Sequence, residues 1–168
     1  MRKRDFSGLD DEEILHMAKK QCLNILKQSD KTKKQLRQRL KEGGFPPFAV
    51  EGAIAYAASY HYINDERYVA NYLEVSKGKK SRKKMEMDLM QRGADRELIL
   101  QCMGNVELDD EKTAYELLKK KMAGKDWNDP KQQRRMMQYL AGQGYSYETI
   151  KSSVYRYEQF LEDEMSEE

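Results

Sequence analysis

The acidic residues that could form a metal-binding or catalytic site lie in a short motif that recurs along the chain. In "INDERY", Asn64, Asp65 and Glu66 stand between an isoleucine and an Arg-Tyr pair. Carboxylates clustered in this way can bind a metal ion or exchange protons with a substrate. The same pattern recurs as "LDDEEI" from Leu9 and as "LDDEKT" from Leu108. Because an active site does not need three copies, the recurrence indicates a structural role.

The start of a helix explains all three copies. Asp10, Asn64 and Asp109 are residue types that accept hydrogen bonds from unpaired backbone N–H groups at a helix N-terminus. The acids that follow each of them favour the positive end of the helix dipole. Helix capping is therefore favoured over metal ligation.

Arg67 is not explained by capping, because a cation near a helix N-terminus gains nothing from the dipole. Two roles stay open: Arg67 pairs with a carboxylate of the neighbouring unit, or it contacts a partner. We favour the first. Tyr68 and the residue before the cap, Ile63, are placed to pack together and fasten the helix start.

A second pattern follows each motif. Two apolar residues four apart are followed by a glycine four residues later and then by another apolar pair. This spacing predicts a helix that ends at a left-handed glycine, followed by a further helix. The three sets are Leu36, Leu40, Gly44, Val50 and Ile54; Met85, Leu89, Gly93, Ile99 and Met103; and Met136, Leu140, Gly144, Ile150 and Val154.

These patterns predict an all-α protein built from three tandem three-helix repeats, with about nine helices. A repeat period of roughly 50 residues is typical of helical arrays, in which each unit leans on its neighbours. We therefore expect an elongated, curved array. The predicted segments are an N-terminal arm (1–8), repeats at 9–62, 63–107 and 108–160, and an acidic tail (161–168).

Composition agrees with this fold class. Charged residues make up 36% of the 168-residue chain, which has three prolines. No apolar stretch approaches the roughly 20 residues that cross a bilayer, and the N-terminus does not resemble a secretory signal. We expect a cytoplasmic protein without membrane association. In that compartment Cys22 and Cys102 are expected to be buried, inert thiols.

The sequence contains no combination of residues that is typical of a catalytic site. His16 and His61 stand alone, and the sequence has no Gly-rich phosphate loop, metal-ligand spacing or nucleophile elbow. The sequence therefore predicts that the protein is not an enzyme and that it uses no cofactor or metal.

The net charge of +2 hides an uneven distribution, because basic and acidic residues lie in separate blocks of the sequence. Basic blocks are typical of polyanion-binding surfaces, although a solvated helix face also explains such runs. Binding is favoured for the linker around Lys79, where Gly78 lets the backbone approach a partner, whereas for residues 31–41 the two explanations are equal. Trp127, in a polar loop, is either a partner anchor or, by preference, locally packed. The candidate partner- and DNA-binding residues are Lys33, Lys34, Arg37, Arg67, Lys77, Lys79, Lys80, Arg82, Lys83, Lys84 and Arg92.

The order of these motifs resembles the RecX family, bacterial modulators of the RecA recombinase. The resemblance covers nearly the whole chain and includes "TKKQLRQRLKEGGF" in the first repeat and "YLAGQGYSYETIKSSV" in the third. Met85, Asp88 and Tyr145 depart mildly from the usual Ile, Glu and Phe. The strongest match lies in the middle repeat, at Asn64, Asp65, Glu66, Arg67, Tyr68, Gly78, Met85, Asp88, Leu89 and Gly93.

The resemblance implies a noncatalytic regulator of DNA repair and the SOS response. Such a protein would bind the groove of the RecA filament, limit its growth, and suppress ATP hydrolysis, strand exchange and repressor cleavage. The expected partners are the RecA filament and single- and double-stranded DNA, and we expect a monomer. Two alternatives stay open: a helix-turn-helix DNA-binding regulator, which the apolar third helices disfavour, and a noncatalytic helical scaffold.

Overall fold

A computed structural model describes residues 5–166 of the chain, in which there are helices and no strands. The all-α fold class is therefore confirmed. The described residues form nine helices: α1 (Asp11–Gln28), α2 (Lys33–Glu42), α3 (Pro47–Ser59), α4 (Asp65–Ser76), α5 (Arg82–Gln91), α6 (Arg96–Gly104), α7 (Asp110–Met122), α8 (Pro130–Gly142) and α9 (Tyr147–Ser166).

The repeated apolar pattern forms the core. Every apolar position of the three predicted sets is buried except Val154, which is half-buried. The three glycines of the sets end helices in the left-handed conformation, as predicted: φ is 85° at Gly44, 89° at Gly93 and 87° at Gly144. A residue with a Cβ is disfavoured at such angles, which explains why glycine recurs there.

The three helix starts are also as predicted. The side chain of Asp10 accepts from the N–H of Glu13 in a reciprocal capping box. Asn64 Oδ1 accepts from the N–H of Arg67 at 2.8 Å, and Asp109 caps α7 in the same way. An N-cap of this kind contributes about 1 kcal/mol.

The chain divides into two compact units. One holds residues up to Asn71 together with Leu89–Cys102, and the other holds Tyr72–Asp88 and the residues from Met103 onward. Helices α4, α5 and α6 thus contribute residues to both units. The repeat boundaries at 63 and 108 and the elongated, curved shape stay predictions.

Each unit has its own core. In the first unit, α3 packs against α1 and α2 around a cluster that includes Leu36, Phe45 and Val50. Phe6 of the predicted N-terminal arm lies with its ring 5.5 Å from that of Phe45, while residues 1–4 of this arm lie outside the described residues. In the second unit, α9 packs against α7 and α8 around Leu118 and other apolar residues.

The two thiols lie in these helices as expected. Cys22 and Cys102 are both free and buried, and burial raises the pKa of Cys22 to about 11. Helix α9 continues to Ser166, so the predicted acidic tail is helical up to that residue, and residues 167 and 168 lie outside the described part. Across residues 5–166, even the longest helices carry too many charges to cross a bilayer.

One contact between consecutive repeats recurs in both units, at the N-terminus of a second helix. In the first unit, the cap residue Thr32 is fully buried, and its hydroxyl donates to the carbonyl of Arg92 at 2.6 Å. Gly93 follows directly and packs on the Lys34 side chain, where a Cβ on Gly93 would lie 2.4 Å from that of Lys34. The Gly turn of the second repeat therefore covers the start of α2.

The second unit has a corresponding contact one repeat later, in which a backbone N–H donates instead of a hydroxyl. The N–H of the buried Ser81 donates to the carbonyl of Gln143 at 3.0 Å, and a Cβ on Gly144 would lie 2.6 Å from that of Lys84. The start of α5 is thus covered by the Gly turn of the third repeat. The glycines that end the helices therefore also permit the close approach of one repeat to the next.

The aspartate that follows the N-cap residue in the second and third motifs completes this contact. Asp110 Oδ1 accepts the N–H of Arg82, the first residue of α5, at 2.9 Å. In the first unit, Asp65 faces the backbone N–H and the ammonium group of Lys33, the first residue of α2. Burial raises the pKa of Asp65, and the contacts with Lys33 oppose this rise. The motif therefore starts one helix and caps another.

Candidate partner-binding surface

Arg67 pairs with a carboxylate of the preceding repeat. Its Nε and Nη2 atoms lie 3.1 and 2.8 Å from the two carboxylate oxygens of Asp30. The Asn71 amide adds a longer contact, and the hydrogen bond from Arg67 lowers the pKa of Asp30 below its ordinary value. The predicted pairing across the repeats is confirmed.

Arg37 is likewise engaged within its own repeat. Its guanidinium donates to both carboxylate oxygens of Glu51 on α3, at 2.7 and 2.9 Å. Both side chains are partly exposed, so this bidentate pair adds little stability. It does fix the guanidinium against α3, where it neutralises Glu51 rather than standing free.

Lys34 and Arg92 line an open groove of about 700 Å³ in the first unit. The groove runs along α2 and the end of α5. Among its charged residues, four are basic and one is acidic. Its lining residues are Lys31, Lys34, Gln35, Gln38, Arg39, Glu42, Gln91 and Arg92.

A short network of hydrogen bonds connects residues that line this groove. The hydroxyl of Tyr68 accepts from Arg92 Nη1 at 3.0 Å and from Gln35 Nε2 at 3.3 Å. Lys34 Nζ lies 3.5 Å from the carbonyl oxygen of Gln91. Tyr68, predicted as a structural residue, therefore connects α4 to α2 and positions two groove side chains.

The chemistry of the groove suits phosphate groups. Lys and Arg provide charge, and the neighbouring Gln amides provide neutral donors of the kind that contact a nucleic-acid backbone. Lys31 and Arg39 were not among the predicted site residues. They lie on the side of α2 opposite to Lys33 and Arg37, and only the packing of residues 91–92 beside them forms a groove.

The predicted linker site lies in the second unit, where several of its cations are engaged. Lys77 Nζ is 2.6 Å from a carboxylate oxygen of Glu74, and Lys79 Nζ donates to the carbonyl of Val75 at 3.0 Å. Gly78 adopts φ 76°, and nothing lies within 4 Å of a Cβ placed on it. Two of the linker lysines are therefore already bound by groups at the end of α4.

Lys80 is a structural residue of the second unit. Its ammonium lies 2.7 Å from Asp88 Oδ2, 2.9 Å from the hydroxyl of Tyr72, and over the Tyr72 ring. Lys84 Nζ lies 3.5 Å from the other oxygen of Asp88. This cluster joins the linker to α4 and α5.

Asp88 is strongly stabilised as a carboxylate. Partial burial alone would raise its pKa, but hydrogen bonds from Lys80 and Tyr72 and the charges of Lys80 and Lys84 lower the pKa to about 2. Its side chain is only 16% exposed. The acid of the family-like acid-Leu pair thus has a clear structural role.

This depressed pKa predicts the effect of Asp88→Asn. The carboxylate stabilises the fold fully above its unfolded pKa of about 4, and this stabilisation is lost as the pH falls towards the folded value of about 2. The fall in pKa from 3.8 to about 2 corresponds to about 2.5 kcal/mol, so we expect Asp88→Asn to lower the free energy of unfolding by about 2 kcal/mol at pH 7.

Urea unfolding of both proteins at pH 7 and pH 2.5 measures this difference, which should shrink at the lower pH. The matched control is Glu74→Gln, because the Glu74–Lys77 pair is exposed and should contribute nothing measurable. A deficit for Asp88→Asn that is the same at both pH values would contradict the assignment.

Arg82 and Lys83 remain exposed at the start of α5, and their side chains form no ion pair within residues 5–166.

Trp127 is 7% exposed, and its indole N–H points to Glu158 at 3.3 Å. Its ring packs edge-on against Tyr157. The favoured local packing of Trp127 is therefore confirmed.

The chain is similar in sequence to proteins with this repeat organisation. The family models for the first and third three-helix domains of RecX match residues 18–56 and 109–153, together half of the chain. The regulatory protein RecX of Clostridium perfringens (strain SM101 / Type A) is 28% identical over 162 residues, which cover 89% of this chain and 76% of that protein.

Two solved structures share the fold. A crystal structure of RecX from Lactobacillus salivarius matches with a TM-score of 0.64 at 18% identity, over 86% of this chain and 97% of that one. A crystal structure of a regulatory protein RecX matches with a TM-score of 0.68 at 19% identity, over 90% and 78%. The chain belongs to the RecX family of regulatory proteins.

Proposed function

We propose that this protein binds the RecA filament and its DNA and inhibits RecA ATPase, recombinase and coprotease activity. Membership of the RecX family supports the choice of RecA as the partner. The protein acts in this proposal as a noncatalytic monomer in the cytoplasm.

The groove of the first unit is the observation that carries the DNA contact. Lys31, Lys34, Arg39 and Arg92 line one continuous surface, with Glu42 as the one acid among its lining residues. Such a surface attracts phosphate groups whatever the base sequence. A regulator that follows a filament along any DNA needs contacts of this kind rather than base readout.

Arg82 and Lys83 of the second unit offer a further contact to the filament or its DNA. Both are exposed and bind no acid within the described residues. Lys77, Lys80 and Lys84 take a smaller part in the proposed surface, since each faces an acid of the same unit.

In the first repeat, the helix-turn-helix alternative lacks the side chains that read bases. A recognition helix presents Arg, Asn or Gln to the edges of base pairs in the major groove. The exposed positions of α3 are instead Pro47, Phe48, Glu51, Ala55 and Ser59.

The test of the proposal is the rate of ATP hydrolysis by RecA on single-stranded DNA. We expect the protein to lower this rate when present well below one molecule per RecA subunit, because a contact that limits filament growth affects many subunits. Filament length, measured by electron microscopy, should fall in parallel. An unchanged rate together with unchanged filament length would refute the proposed function.

A further inference from the structure

Three tyrosine rings form a row at the end of α3, in the first unit. The ring centroids of Tyr56 and Tyr60 lie 4.9 Å apart, and those of Tyr60 and Tyr62 lie 6.0 Å apart. The rings of Tyr60 and Tyr62 are within 21° of parallel. Tyr60 is 59% and Tyr62 49% exposed, so both side chains are accessible from solvent.

The backbone holds this row in place. After α3, the N–H of His61 donates to the carbonyl of Ala58 at 3.0 Å, and the N–H of Tyr62 donates to that of Ala57 at 2.9 Å. His61 has φ 56° and is the non-glycine residue with positive φ among those described. A left-handed residue with a Cβ costs about 1 kcal/mol, and here it reverses the chain between two stacked tyrosines.

Positive charge lies beside the row. Lys19 Nζ on α1 is 4.9 Å from the ring centroid of Tyr56, and the adjacent Lys20 is exposed. Neither lysine forms an ion pair with an acid within residues 5–166. The row therefore combines exposed tyrosines with one nearby cation, Lys19, that no acid of the described residues neutralises.

We propose that Tyr60 and Tyr62 are a stacking platform for unpaired bases of single-stranded DNA, with Lys19 beside the row facing its phosphates. Open aromatic faces beside cations are the combination by which proteins bind single strands without reading sequence. Bases inside a duplex are already stacked on each other and cannot cover a tyrosine ring. This inference rests on the proposed function, since DNA of the RecA filament supplies the strand.

Direct binding in the absence of RecA tests the platform. The anisotropy of a labelled oligothymidine should show that Tyr60→Leu and Tyr62→Leu each weaken binding about tenfold, the effect of losing one stacked base. Tyr60→Phe keeps the ring and should bind as the parent protein does. The matched control is Tyr155→Leu, a change of a 63% exposed tyrosine in the second unit, which should leave binding unchanged.

Duplex binding and salt dependence separate stacking from electrostatics. Tyr60→Leu should change affinity for a blunt duplex by less than twofold. Since no phosphate contact is removed, the slope of log affinity against log salt should also stay the same. Equal losses on single strands and duplex, or equal losses for Tyr60→Leu and Tyr60→Phe, would overturn the proposal.

Photocrosslinking gives a result that does not depend on any variant. An oligonucleotide containing 5-iodouracil should crosslink to the unaltered protein at Tyr60 or Tyr62, and crosslinks confined to other peptides would refute the platform. The RecA assay is independent of both measurements. If the platform fails while ATP hydrolysis is still inhibited, the proposed function survives, and an intact platform without inhibition would remove the proposed function instead.

Discussion

The double variant Lys34→Glu/Arg39→Glu is expected to bind duplex DNA about thirtyfold more weakly than the unaltered protein at low salt. Each lysine or arginine that contacts a phosphate contributes about one unit to the salt dependence of binding. The slope of log affinity against log salt should therefore fall by about two. Fluorescence anisotropy of a labelled duplex between 50 and 200 mM salt measures both quantities.

Both substitutions should leave the fold intact. Lys34 and Arg39 are exposed, and glutamate at position 34 retains the Cβ and Cγ methylenes next to Gly93 while favouring the positive end of α2. The matched control is Lys131→Glu/Arg134→Glu on α8, which changes the net charge equally and should alter affinity much less.

A third variant, Arg82→Glu/Lys83→Glu, compares the groove with the linker. A larger loss with this variant than with the groove variant would place the main DNA contact in the second unit, as the sequence favoured. Equal losses for all three variants, including the control on α8, would show that net charge matters and that the groove is not a specific site.

The substitution Gly93→Ala is expected to destabilise the protein by about 3 kcal/mol. Its φ of 89° costs a residue with a Cβ about 1 kcal/mol or slightly more. The added Cβ would also lie 2.4 Å from the Cβ of Lys34, an atom fixed to the backbone of α2. Overpacking of this kind adds about 2 kcal/mol, because α2 and the Gly turn must move apart.

Gly78→Ala is the matched control for this prediction. Gly78 has a similar φ of 76°, but nothing lies within 4 Å of an added Cβ. We therefore expect a loss of about 1 kcal/mol, from the backbone conformation alone. Thermal and urea unfolding of the two variants measure the difference, and equal losses would show that the contact between repeats can relax without cost.

The contact that covers the starts of α2 and α5 also explains why the start of α8, in the third repeat, has a different sequence. Thr32 and Ser81 precede Lys33 and Arg82, whose N–H groups face an aspartate of the following repeat. The third repeat has Pro130 at the corresponding position, with its own cap from Asp129. Proline has no N–H to offer, so the start of α8 cannot receive the backbone cap that an aspartate gives to α5.

The sequence by itself determined the helices and their ends. Apolar spacing, capping residues and glycines act within a few residues of one another, and all three helix starts and all three Gly turns follow them. For Arg67, local physics favoured pairing with a carboxylate over a partner contact, because a cation gains nothing from the dipole at a helix start.

Only the tertiary structure decided which cations are available to a partner. The sequence shows a run of bases in the linker, but Lys80 lies on Asp88 through a contact between the linker and α5. It shows two sides of α2 with similar charge, and Glu51 on α3 engages Arg37 on one of them. The groove exists because residues 91–92 pack beside α2, some 57 residues earlier in the chain. The sequence shows which residues are charged. Whether a charge is neutralised depends on interatomic distances, and these are determined only by packing.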